Sequence, residues 1–106
     1  MNNREKIKIY KELLENPRRL YKDEQYQDVL FKTGDDVHNY SDYMITSPIN
    51  VEEELKRIDN ADYELCCALM TLLIREEYWR SGTFDKRFDE GKPQAILERI
   101  IKLLDE

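Results

Sequence analysis

Asp35, His38 and Asp42 are the first residues in the chain whose types and spacing suggest chemistry. Offsets of three and seven would align them on one face of a helix, and a His/Asp/Asp set is a reasonable ligand group for a divalent metal. The same stretch lacks a helical pattern of apolar residues, and Asp35-Asp36 directly after Gly34 reads rather as a turn on solvated surface. His38 is the only histidine, so neither Cys66 nor Cys67 has an imidazole at a helical neighbour position. Ser41, Ser47 and Ser81 carry no elbow or triad pattern. The three glycines stand apart from one another, which excludes a phosphate-cradling loop. The expectation is a protein without catalytic machinery and without a cofactor.

The two cysteines are adjacent in an apolar helical run. Neighbouring helical side chains point about 100° apart, so the two thiols cannot comfortably bridge each other and read as buried, reduced groups. That usage, the absence of a stretch apolar enough to span a bilayer, and a charged segment at residues 1–11 with no signal-peptide core together predict a cytoplasmic protein.

A length of 106 residues predicts a single domain, 1–106. Apolar residues make up 41% and charged residues 38%, against a usual charged fraction of about a quarter, which suits helices with heavily charged outer faces. Three glycines and three prolines are too few for the turns of a many-stranded sandwich or barrel. The net charge of −6 is uneven: +4 over residues 1–22, −9 over 23–64 and −1 over 65–106. A negative total disfavours broad nucleic-acid binding, leaving only a local basic patch at Arg18, Arg19 and Lys22. The last helix is no reader of base edges either. It carries Lys92, Arg99 and Lys102 against Glu98, Asp105 and Glu106, with only Gln94 near its start.

Apolar periodicity predicts the elements that must position any site. Ile7, Tyr10, Leu13 and Leu14 mark a helix over residues 4–15, stopped by Asn16-Pro17. A second helix over 18–32 turns Tyr21, Tyr26, Val29 and Leu30 inward and ends at Thr33-Gly34. Residues 35–47 read as irregular or weakly helical. Asn50, with Glu53 three positions on, caps a helix carrying Val51, Leu55 and Ile58. Residues 61–80 form the central helix, apolar over most of its circumference, with Leu65, Leu69, Leu72 and Trp79 on one face and Gly82 at its end. Thr83 caps a short helix whose Phe84 and Phe88 wedge between long helices. Gly91 ends that turn, and Pro93 opens a final helix with a wide apolar stripe. The predicted fold is all-α: about five helices around a long central one, closing in a helix–short helix–helix unit.

From Arg75 onward the chain reads R-E-E-Y-W-R-S-G-T-F-D-K-R-F-D-E-G-K-P-Q-A-I-L-E-R-I. The segment resembles a family of small, uncharacterised bacterial proteins known as a domain of unknown function. The pattern matches at Arg75, Glu77, Trp79, Gly82, Phe84, Phe88, Gly91, Ile96, Leu97, Arg99 and Ile100, within roughly residues 60–104. The resemblance implies a fold unit and no activity. Arg75, Glu77 and Arg99 are its polar members. They are expected either to pair across the helical unit or, with Trp79, to line a ligand or anion site. Four of the seven tyrosines, Tyr21, Tyr26, Tyr40 and Tyr43, concentrate in or beside the acidic middle, a surface suited to protein contact. The functional expectation is a non-enzymatic binding or accessory protein, meeting another protein or a second copy of itself. The alternative is a small-ligand protein or enzyme using Arg75 and Glu77.

Overall fold

A computed structural model describes all of residues 1–106. The chain has six α-helices and no strands: α1 Asn3–Glu15, α2 Lys22–Thr33, α3 Val51–Leu55, α4 Tyr63–Trp79, α5 Thr83–Asp89 and α6 Lys92–Asp105, with 3₁₀ turns at Tyr40–Tyr43 and Ile58–Asn60. No helix is long and apolar enough to cross a membrane. The order and type of the elements follow the apolar periodicity, and α4 is the central element.

Residues 66–74 of α4 are buried without a break, so α4 has no face free for solvent. The other helices cover it: α6 and α5 on one flank, α2 and the 3₁₀ turn at Tyr40–Tyr43 on another, α3 near its end. α6 also packs along α1, which closes the bundle through Tyr10, Leu13, Ile96, Leu97 and Ile100. Each fully buried aliphatic side chain contributes about 1.5–3 kcal/mol relative to exposure. Phe84 is buried and Phe88 half-buried, and both meet Tyr26 of α2 edge-on, with ring centroids 5.2 and 6.4 Å away. Both cysteines are buried and unbridged.

Helix starts follow side-chain capping. Asn50 Oδ1 accepts the Glu53 N–H at 3.1 Å and Asp62 Oδ1 accepts the Leu65 N–H at 2.8 Å. The reciprocal half of the box at Asn50 is absent, because the Asn50 N–H donates to Thr46 Oγ1. At α5 the expected cap is replaced. Thr83 Oγ1 donates back to the Arg80 carbonyl, and the carboxylate of Glu77, a turn earlier, accepts the N–H groups of Gly82 and Phe84, each at 2.9 Å. Gly82, at φ +93°, leads into α5 rather than closing α4, which ends at Trp79.

Two inward assignments are corrected. α2 begins at Lys22 rather than at residue 18, because the Gln25 side chain ties down the preceding loop. It accepts from the Arg18 N–H at 2.7 Å and donates to the Asn16 carbonyl at 3.0 Å. Tyr21 then takes a left-handed φ of +58° and is 66% exposed rather than core. Trp79 and Tyr78 are 59% and 61% exposed, because the last turn of α4 runs beyond the elements that enclose its middle.

Glu54 lies in the first turn of α3 and is completely buried. Its carboxylate accepts the Ile45 and Thr46 N–H groups, the Thr46 hydroxyl and the Arg57 guanidinium, strapping the loop before α3 onto the helix. Burial pushes its pKa up, but these donors outweigh burial and hold it below the ordinary carboxyl value. A lowered folded-state pKa means that the contribution is full above about pH 4.5 and is lost as pH falls through the lower folded value. Glu54→Gln should therefore cost about 1–3 kcal/mol near neutral pH and flatten the acid-side fall in the urea midpoint. Parallel urea titrations of both proteins from neutral to strongly acidic pH provide the check.

Candidate functional site

The expected metal set does not assemble. No group of three or more His, Cys, Asp or Glu side chains is placed to hold a metal ion. His38 and Asp42 are exposed, whereas Asp35 is buried and turned inward. Its carboxylate accepts from the Tyr10 and Tyr63 hydroxyls and from Lys6 Nζ at 2.9 Å. The Tyr10 hydroxyl also meets Thr33 Oγ1 at 2.9 Å, and Lys6 Nζ donates to Tyr63 at 3.1 Å. The aspartate thus joins α1, the end of α2 and the start of α4. Burial first, then the bond to Asp35, pushes both phenols far above the ordinary tyrosine range, so both stay protonated donors. Burial pushes the Cys66 thiol up to about 11 and the Cys67 thiol upward too, which keeps both un-ionised and unreactive at neutral pH.

Arg75, Glu77 and Arg99 are not joined to one another. Glu77 is committed to the backbone ahead of α5. Arg99 Nε donates to the Ala61 carbonyl at 3.0 Å, tying α6 to the turn before α4. Arg75 lies over the Tyr78 ring, 6.0 Å from its centroid. The buried ion pair of the C-terminal unit uses the neighbouring residue instead. Arg87 Nε and Nη2 donate to the two carboxylate oxygens of Glu76 at 3.2 and 3.0 Å, with both side chains under one-tenth exposed. Its pKa is raised, first by that hydrogen bond, so the guanidinium is always charged. One sign of this pair is legible in the sequence. Position 76 continues the buried row of Leu69 and Leu73, and a carboxylate there needs a cationic partner.

Glu76 and Arg87 both line a concavity of the surface. A cleft of about 560 Å³ is walled by Pro48, Ile49 and Val51 before and within α3, with Trp79 and Arg80 at the end of α4. Trp79 is therefore the one member of the expected ligand set that lines a cavity of this size. The Tyr40 ring lies 6.5 Å from Trp79 between centroids and is tilted by 38°. A second cavity of about 540 Å³ adjoins, sharing Glu52 and Arg87 and adding Leu55, Lys56, Glu90 and Lys92. This arrangement offers an aromatic ledge, aliphatic walls and fixed charge. No Ser, Thr, Cys or His side chain lines either cavity.

Breaking the buried pair on one side strands a charge. Arg87→Met should cost about 3–5 kcal/mol, whereas combining it with Glu76→Leu should restore most of that loss, since an apolar pair of similar volume substitutes well for a buried ion pair. Chemical unfolding of the two single variants and the double variant decides it, and a double variant no more stable than the worse single would be the contrary result.

No curated protein and no solved structure matches the chain. A family model matches residues 29–106, from the second half of α2 to the C-terminus, and so takes in both cavities as well as the segment whose pattern suggested a family. The chain belongs to DUF6508, a family of unknown function.

Proposed function

We propose that this protein is a non-enzymatic binding module that recognises a segment of another protein in the cleft beneath Trp79. The observation that carries the reading is the tryptophan itself: 59% exposed, at the mouth of a 560 Å³ cleft with Pro48, Ile49 and Val51 as apolar walls. Large aromatics and arginines dominate the energetics of protein contacts, and this cleft brings the single tryptophan together with Arg80 and Arg87. The proposed setting is the cytoplasm, where buried, reduced cysteines are the ordinary state.

Because Trp79 is the only tryptophan, its emission reports directly on the cleft. Occupancy should shift the emission to the blue, and Trp79→Ala should lose at least tenfold in affinity for whatever the wild type retains. Side-by-side capture from a native lysate tests this, and an identical set of retained proteins for both would sink the proposal. A second copy of the chain is the other partner considered. Light scattering at high concentration should then give a dimeric mass for the wild type and a monomeric one for Trp79→Ala.

A further inference from the structure

Residues 16–21, between α1 and α2, contain two helix starts in one sequence. In the folded chain α2 begins at Lys22 with no side-chain cap, directly after Tyr21 in a left-handed conformation that an L side chain adopts only at a cost. A better start stands earlier. Asn16 is a preferred N-cap and Pro17 a preferred first helical residue, and the apolar spacing predicts a helix from residue 18. The Gln25 side chain holds the shorter form through its bonds to the Arg18 N–H and the Asn16 carbonyl, both at the surface. The loop leaves Leu20 and Tyr21 each 66% exposed.

α1 is attached to the body of the protein more than to its own hairpin. It lies mainly along α6, while a groove of about 430 Å³ opens between it and α2, lined by Ile9, Leu13 and Asn16 on one side and Gln25, Val29 and Lys32 on the other. Its anchors are the core, which buries Tyr10 and Leu13, and the Asp35 carboxylate, which accepts from Lys6 and Tyr10.

We propose that α1 exchanges between two copies of this chain: α2 lengthens to start at Pro17, and α1 docks on α6 and Asp35 of the partner subunit. A helical hairpin needs a connection of about 2–5 residues, and drawing residues 17–21 into α2 leaves only Asn16. The longer helix also carries α1 about 7–8 Å farther along its axis, so α1 cannot fold back on its own chain. The vacated groove is then filled by the same segment of a second copy, and the exchange is reciprocal. Charge suits that occupant, because residues 1–22 carry +4 and residues 23–64 carry −9. Every contact of α1 is reproduced, so the balance rests on the hinge, and a strained short hinge is what favours exchange. The exchanged form relieves Tyr21 and brings Leu20 and Tyr21 of the two copies together at the dimer axis. It gives up the Gln25 bonds and places Arg18 and Arg19 in a first helical turn, against the dipole. Monomer and dimer therefore differ by a few surface contacts and respond to concentration. The Trp79 cleft takes no part, so the exchange stands apart from the reading of that cleft.

Light scattering at millimolar concentration, after brief warming to open the hinge, should give a dimer fraction, larger in Gln25→Ala than in the wild type. Tyr21→Gly removes the left-handed cost and weakens the longer helix. It should raise the dimer dissociation constant on the order of 30-fold, since two hinges act in each dimer. Mixing an isotope-labelled copy with an unlabelled one identifies the dimer. The contact between the Tyr10 and Thr33 hydroxyls, 2.9 Å apart, should then run from one chain to the other. Trp79→Ala should dimerise as the wild type does. Strictly monomeric masses for both the wild type and Gln25→Ala, a Tyr21→Gly variant that dimerises as well as the wild type, or a Tyr10–Thr33 contact confined to one chain would overturn the exchange. A dimer lost with Trp79→Ala would also overturn it and assign the contact to the cleft.

Discussion

Residues 66–74 of α4 are shut off from solvent over more than two full turns, and a helix buried around its whole circumference cannot be satisfied by one neighbour. Every other element is arranged to cover part of that cylinder. α6 and α5 take one flank, α2 and the 3₁₀ turn at Tyr40–Tyr43 another, and α3 the region near its end. α1 reaches the core mainly by lying along α6, completing a layer that α6 alone leaves half open. The heavy charge content of the chain falls on the outward faces of the helices, which Lys, Arg, Asp and Glu occupy.

Carboxylates bind the covering layer together. Asp35 gathers Lys6 and Tyr10 of α1 with Tyr63 of α4. Glu54 draws the loop at residues 45–46 onto α3, and Glu76 of α4 grips Arg87 of α5. Each is buried, and each is supplied with several donors. Such groups add little net stability over well-packed apolar residues, but losing one partner leaves a charge in a poor dielectric, so they enforce one arrangement over its near alternatives. This suits a small helical bundle, in which slipping one helix by a turn would cost little in apolar contact alone.

The cleft follows from where α4 stops being enclosed. Its final turn outruns the cover, so Tyr78, Trp79 and Arg80 reach the surface while Glu76, two residues before Tyr78, is still buried. The segment leading into α3 forms the opposite wall, and Arg87 of α5 also lines the cleft. A buried ion pair and an exposed tryptophan thus share a few residues at the end of one helix.

Much of this was legible in the chain. Apolar spacing marks α1, α2, α4, α5 and α6, because a helix face is a local property that repeats every three or four residues. Asn50 caps α3 as its spacing predicts, and Gly82 and Gly91 stand at turns whose positive φ favours glycine. The adjacency of Cys66 and Cys67 already ruled out a mutual bridge. Periodicity says which way a side chain leans but not whether anything stands opposite. Trp79 lies in phase with Leu65, Leu69 and Leu72, and only the absence of a covering element puts it in water. Asp35 sits within a turn-like, acidic sequence, and only the arrival of Tyr10 and Tyr63, 25 and 28 residues away, makes it a buried acceptor. Glu77 and Glu76 are neighbours of the same chemistry, yet one caps a backbone and the other pairs with Arg87, because successive helical positions face different partners. The sequence by itself determined the helices and the all-α class, set by interactions within a few residues, whereas some helix ends, such as the start of α2, were set by loop contacts. Which charges are buried, which aromatics are bare and where a cleft opens were decided only in the tertiary structure, because each depends on groups that are distant along the chain and meet only after packing.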